Sequence, residues 1–340
     1  MADFRLLQQM LELYAKTSAL PTKEALLSRV GGAVSALEHV RGGVRDFTRQ
    51  SALPLIVVPD LHGRRDFLLS ILYSSIPELY RCTSRFTIPD EPVLKLLVEG
   101  LVRVVFVGDL FHAESRAKER WQKAYQEFLQ GNVTGSAMTE EMVENLGLLQ
   151  MISLLQLPFS DSIVFLKGNH ENILNHTGGG DFSFCKFAEE GKQVYAFMQT
   201  VYGEAVLQEI WQWEQLLPLC AVFENCVISH AEPVRAFTRD EIEAMQSDVV
   251  AGLTWTRNDE ADEDSVEKTL TALLGKERAE NAVWLAGHRP VAERYAVRQQ
   301  GRFIQIHNPW NEQVAYIVPD KRFTPETDIR LITGSISGES

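Results

Sequence analysis

Residues 163–171 read IVFLKGNHE: four apolar side chains, Ile163 to Leu166, run into Lys167 and then the polar block Gly168, Asn169, His170 and Glu171. A short apolar run that stops at a glycine reads as a strand buried on both faces. Its end delivers an amide and an imidazole to one edge of a sheet. The same pattern recurs in LIVVPDLHG (55–63), with Asp60 and His62, and in VVFVGDLFH (104–112), with Asp109. CVISHAE (226–232) adds His230, and VWLAGHRP (283–290) adds His288.

Singly these tripeptides and dipeptides are ordinary turns; together they are an ordered set of metal-type side chains. Carboxylates, imidazoles and one amide oxygen form a mixed, fairly hard ligand set suited to Mn, Fe, Zn or Mg. Six ligands, Asp60, His62, Asp109, Asn169, His230 and His288, are too many for one open tetrahedral site. They suit two adjacent ions when one carboxylate bridges them. Asp109 is the natural bridge, alone in its motif at a Gly-Asp turn.

In this order the blocks D-x-H-G, G-D, G-N-H-E, H and G-H resemble the calcineurin-like metallophosphoesterases. The resemblance is to the branch holding Ser/Thr protein phosphatases and bacterial diadenosine polyphosphate hydrolases, and it covers about residues 54–318. It implies a four-layered α-β-β-α sandwich and two divalent ions, manganese first among Mn, Fe, Zn and Mg. Asp60, His62 and Asp109 would hold the first ion; Asp109, Asn169, His230 and His288 the second. The implied chemistry is phosphoester hydrolysis by in-line attack of a metal-bridging hydroxide, with His170 as general acid and Glu171 orienting a ligand. The implied partner is a phosphorylated small molecule or a phosphoprotein. Nucleotide or dinucleotide polyphosphate hydrolysis is the alternative, and a non-catalytic metal-binding scaffold a third.

The chain departs from that branch in its second block, where G-D-x-x-D-R-G becomes Gly108-Asp109-Leu110-Phe111-His112-Ala113-Glu114. His112 replaces an acidic residue and Ala113 a phosphate-binding arginine. Arg116, Arg257 and Arg289 are the candidates to restore the lost positive charge, with His112 beside them in the substrate site. His307 in QIHNP follows another strand; it is expected near the site without ligating.

Elsewhere the first fifty residues read as a helical extension, with Leu6, Leu7, Met10, Leu11 and Tyr14 at helical spacing, and a second apolar face from Leu26 to Leu37. His39, on that second segment, is read as structural. The main domain is expected over 51–335, with strands at 55–58, 102–107, 163–166, 227–229, 282–286, 302–306 and 313–318. A helical insertion at about 112–158, with helices near 114–129 and 138–155, is either a cap over the cleft or a cover for a sheet face. The glycine run of HTGGGDFSF (176–184) suits a phosphate or nucleotide loop. Trp211 and Trp213 belong to helical packing.

Composition bounds the rest. With 340 residues and 45% apolar content the chain can bury a large core. A net charge of −13 argues against general nucleic-acid binding. Cys82, Cys185, Cys220 and Cys226 form no metal-type spacing and read as reduced and mostly buried. Asp3, Arg5 and Glu12 interrupt the only apolar stretch near the N-terminus, no run reaches the roughly 20 apolar residues of a membrane span, and the expected location is the cytoplasm.

Overall fold

A computed structural model describes residues 3–49, 53–76, 88–319 and 321–332. Its strands are β1 Val44–Asp46, β2 Leu55–Val58, β3 Arg103–Phe106, β4 Ile163–Phe165, β5 Cys220–Val222, β6 Cys226–Ser229, β7 Val283–Ala286, β8 Ala296–Arg298, β9 Phe303–Gln305, β10 Gln313–Ile317 and β11 Ile329–Leu331. They form a six-stranded sheet in the order β1-β5-β6-β7-β9-β8 and a five-stranded sheet in the order β11-β10-β2-β3-β4. Both are mixed: β2, β3 and β4 run parallel, whereas β10 pairs antiparallel with β2.

The alternation of side chains along each strand builds the layers. In β2, Leu55 and Val57 join Ile228, Leu285 and Ile304 of the opposite sheet in one apolar cluster. Their neighbours Ile56 and Val58 face the other way, into a cluster with the helical residues Leu11, Val30 and Leu149. In the second sheet Val227 and Trp284 turn outward onto Val249, Leu253 and Leu270 of helices Ser247–Thr254 and Ser265–Leu274. Strands buried on both faces have to be apolar at every position, which is why they read as unbroken runs. Three apolar clusters between four layers make the α-β-β-α sandwich.

The two expected N-terminal helices are Phe4–Lys16 and Lys23–Glu38. His39 stands at the C-cap of the second, exposed. Residues 44–46 are not helical: β1 pairs in parallel with β5 at the edge of the six-stranded sheet. The insertion forms helices Lys118–Leu129 and Ser136–Phe159. The second is buried along most of its length and packs against the N-terminal helices and the outer face of the five-stranded sheet. It covers a sheet face. Trp213 is fully buried and donates its indole N–H to Gln156 of that helix at 2.7 Å. Cys220 and Cys226 are buried, Cys185 is exposed, and Cys82 lies outside the described residues. No helix among the described residues is long and apolar enough to cross a membrane.

Candidate metal centre

The loops after β2, β3, β4, β6 and β7 meet at one edge of the sandwich. Gly108 and Gly168 bring two of them into contact: a Cβ on Gly108, at φ +110°, would lie 2.7 Å from the Gly168 nitrogen. Five non-glycine residues here adopt positive φ, namely His62 (45°), Asp109 (54°), His112 (78°), Glu114 (48°) and His288 (63°). Such backbone costs of order 1–3 kcal/mol per residue and concentrates at functional sites.

All six expected ligands converge. Asp109, His230 and His288 form one group and Asp60, His62 and Asp109 another, each with its donor atoms within 4.8 Å of one another. Asp109 belongs to both. Its position is fixed by Glu171, whose carboxylate accepts the backbone N–H groups of Asp109 (2.9 Å), Leu110 (2.8 Å) and Gly168 (2.7 Å). The Asp60 carboxylate accepts the N–H of His288 at 3.0 Å.

The donor set fits divalent ions. His230 Nδ1 donates to the Val107 carbonyl at 2.8 Å, so Nε2 presents a lone pair. That lone pair lies 2.9 Å from Asn169 Oδ1, 3.1 Å from His288 Nδ1 and 3.5 Å from Asp109 Oδ1. Electron-rich atoms do not crowd together unless a cation or protons separate them. Bonds of about 2.0–2.2 Å to a shared ion place neighbouring ligands about 2.9–3.5 Å apart. In the first group, His62 Nδ1 faces the Phe111 carbonyl at 3.3 Å and Nε2 stands 3.6 Å from Asp109 Oδ2.

Burial sets the protonation. It holds the His62 imidazole down at about 3 and also lowers His230 and His288, favouring the neutral form that metal ligands need; His170 is lowered as well. Burial, with Glu171 and Asp60 nearby, pushes Asp109 well above the usual carboxylate range. A cation reverses that preference.

Beyond the six, the structure adds Glu114 and His307. Glu114 is 5% exposed and His307 0%. Glu114 Oε1 lies 3.5 Å from His62 Nε2, and Oε2 lies 3.0 Å from His307 Nε2. His62, Glu114 and His307 form a third ligand-type group.

A cleft of about 970 Å³ opens over these residues, walled by Phe182, Phe184, Lys186, Trp255, Arg257 and Arg289. Arg257 and Arg289 stand together on one wall. Arg289 Nε is buried with no hydrogen-bond partner among the described residues, and burial together with Arg257 lowers its pKa. Arg116 does not reach the cleft wall. Its guanidinium is taken up by Glu144 at 2.8 Å and by the His62 carbonyl at 3.2 Å, which removes it from the phosphate candidates. His112 touches the cleft floor but is 1% exposed, with its ring 5.0 Å from that of Trp121 and Nε2 3.5 Å from Glu190; it backs His170 and does not present itself to a substrate. After the glycine run, Asp181 is tied to Lys167 at 3.1 Å, and the segment contributes Phe182 and Phe184 to the wall. No residue of the helices 118–129 and 136–159 lines the cleft.

No protein-family model and no curated protein matches the chain. Solved structures do. A protein serine/threonine phosphatase from Saccharomyces cerevisiae with similarity to human phosphatase PP5 superposes with a TM-score of 0.59 at 12% identity, over 97% of this chain and 95% of that one. A cold-active protein-tyrosine phosphatase of a psychrophile, Shewanella sp., gives a TM-score of 0.46 at 14% identity, over 85% of this chain and 82% of that one, and adds nothing to the assignment. The chain shares the α/β sandwich fold of the yeast phosphatase over 97% of its length.

Proposed function

We propose that the chain is a dinuclear metal-dependent phosphoester hydrolase, a phosphatase, that works with two divalent ions, manganese first. One observation carries the reading: two ligand groups share Asp109 at the floor of a cleft with Arg257 and Arg289 on its wall. Asp60, His62, Asp109, Asn169, His230 and His288 would hold the ions, whose chemistry when bound would be to lower the pKa of a water and to offset phosphate charge. The protein's own part is positional and electrostatic. Glu171 fixes the Asp109 loop through three backbone hydrogen bonds. Arg257 and Arg289 receive the phosphate oxygens as charge-assisted donors. His170, stacked on Phe184 with ring centroids 4.3 Å apart, would hand a proton to the leaving oxygen, the charge of a bound phosphate favouring the imidazolium that burial disfavours.

Metal analysis combined with hydrolysis of an aryl phosphate tests this reading. Two ions per chain and phosphate release are expected. Protein that takes up no divalent ion, or that is fully loaded and inert toward every phosphate ester and anhydride offered, overturns it. A phosphopeptide and diadenosine tetraphosphate in the same panel separate ester from anhydride hydrolysis.

A further inference from the structure

His307 stands two residues beyond β9 and nineteen beyond His288, and no ligand block of the sequence includes it. It is wholly buried, yet its two ring nitrogens are used differently. Nε2 makes a 3.0 Å hydrogen bond with Glu114 Oε2. Glu114 is ion-paired with Lys186 Nζ at 2.8 Å. A carboxylate only accepts, so Nε2 carries the proton and Nδ1 keeps its lone pair. That Nδ1 has no hydrogen-bond partner among the described residues. It nevertheless sits 3.1 Å from Asp60 Oδ2, and the His307 ring centroid lies 5.4 Å from that of His62.

A buried lone pair facing a carboxylate oxygen at that distance is costly unless something positive lies within reach of both. An imidazolium bridging Asp60 and Glu114 does not account for it, since the Asp60 contact fails the geometry of a hydrogen bond while the Glu114 contact meets it. The separation does match neighbouring ligands on one ion, about 3 Å for bonds of about 2.1 Å.

Resting on the dinuclear reading, we propose that His307 binds the first ion through Nδ1, alongside Asp60, His62 and Asp109, and that Glu114 holds the ring in the required tautomer. The arrangement is a carboxylate–histidine–metal unit. Glu114 carries a second connection: Oε1 accepts from Lys186 Nζ at 2.8 Å, and Lys186 stands on the cleft wall. The first ion is thereby linked through His307 and Glu114 to the segment that lines the substrate cleft. With two carboxylates and two imidazoles, the first ion is more fully enclosed by protein than the six motif residues provide.

The test reads metal binding, not turnover. In cobalt-loaded wild type, proton NMR should show contact-shifted ring N–H signals from four ligating histidines, His62, His230, His288 and His307. Three such signals overturn the proposal without any variant. His307→Gln keeps a polar group toward Glu114 while removing Nδ1. It should lose one signal and weaken one of the two sites in a manganese titration by more than tenfold, and an unchanged signal count with an unchanged isotherm overturns the proposal. Glu114→Gln should keep all four signals and weaken that site roughly tenfold to a hundredfold, as outer partners do; unchanged affinity removes the part given to Glu114. Wild type that binds no divalent ion sinks the dinuclear reading itself, whereas two bound ions with unaffected variants sink only the role of His307.

Discussion

The Phe184 ring lies against that of His170, with centroids 4.3 Å apart and planes 21° from parallel. Stacked this way, with His112 5.2 Å away, the imidazole is held by packing, and no carboxylate among the described residues is hydrogen-bonded to it. If His170 protonates the leaving group, His170→Ala should slow esters with poor leaving groups by about 10²–10⁴ and spare activated aryl esters. Equal losses on both substrate types would make its role positional.

Asp109 is the one residue common to both motif-derived ligand groups. Asp109→Asn should therefore weaken uptake of both ions, where His288→Asn weakens only one. Atomic absorption after dialysis distinguishes them. Retention of two ions by the Asn variant would rule out the bridge.

Arg257 and Arg289 are expected to grip phosphate with paired N–H donors. Lysine keeps the charge but loses the fork, so either Arg→Lys change should raise KM about tenfold with a smaller effect on kcat. Arg116→Lys should leave KM unchanged, because Glu144 already occupies that guanidinium. An increase with Arg116→Lys alone would reverse the assignment.

Helix Ser136–Phe159 is structural, so replacing residues 117–155 with a short Gly/Ser loop should give insoluble protein. Leu149, fully buried, offers a milder probe. Leu149→Ala should cost about 2–5 kcal/mol, measured by urea unfolding, without changing the ranking of substrates. A soluble deletion variant with altered specificity would restore the cap reading.

Acid should destabilise the metal-free protein partly through His62. Its folded pKa, about 3, lies below the ordinary 6.5, so between these values the unfolded chain takes up a proton that the folded one refuses. This contribution is full above about 6.5 and fades as pH falls toward 3, with a slope of at most about 1.4 kcal/mol per pH unit. His62→Gln should unfold with a shallower pH dependence across that window. Parallel profiles for the two proteins would contradict the buried, neutral state of His62.

The motif ligands were legible because each directly follows an apolar strand, and parallel strands bring their ends to one edge. Glu114 was not, since HAESRAKER reads as the approach to a helix. Only the positive φ values at Gly108, Asp109, His112 and Glu114 fold it back toward His62, and no local pattern announces such a path. His307 was placed near the site correctly, but its contacts with Asp60 and Glu114 come from segments far away in the chain. Arg116 misled for the same reason: Glu144, its partner, sits on a facing helix. Strands β1 and β8, three residues each with polar members, carry too little apolar pattern to stand out; their neighbours in the sheet define them. The insertion's helices were readable from periodicity, while their burial depended on N-terminal helices that pack against them.

The strand order has a consequence for how the chain is made. β2 lies between β3 and β10, with Val57 opposite Ala315. As the polypeptide emerges from the ribosome, one edge of β2 stays open until Gln313–Ile317 has been synthesised, and Asp60, just beyond β2, gains the His288 N–H only after 228 further residues. Pairing over so long a loop is slow, and the waiting edge invites contact with other nascent chains. A fragment that ends before His288 cannot complete the two ligand groups, so on the proposed reading ion capture would follow the synthesis of that segment.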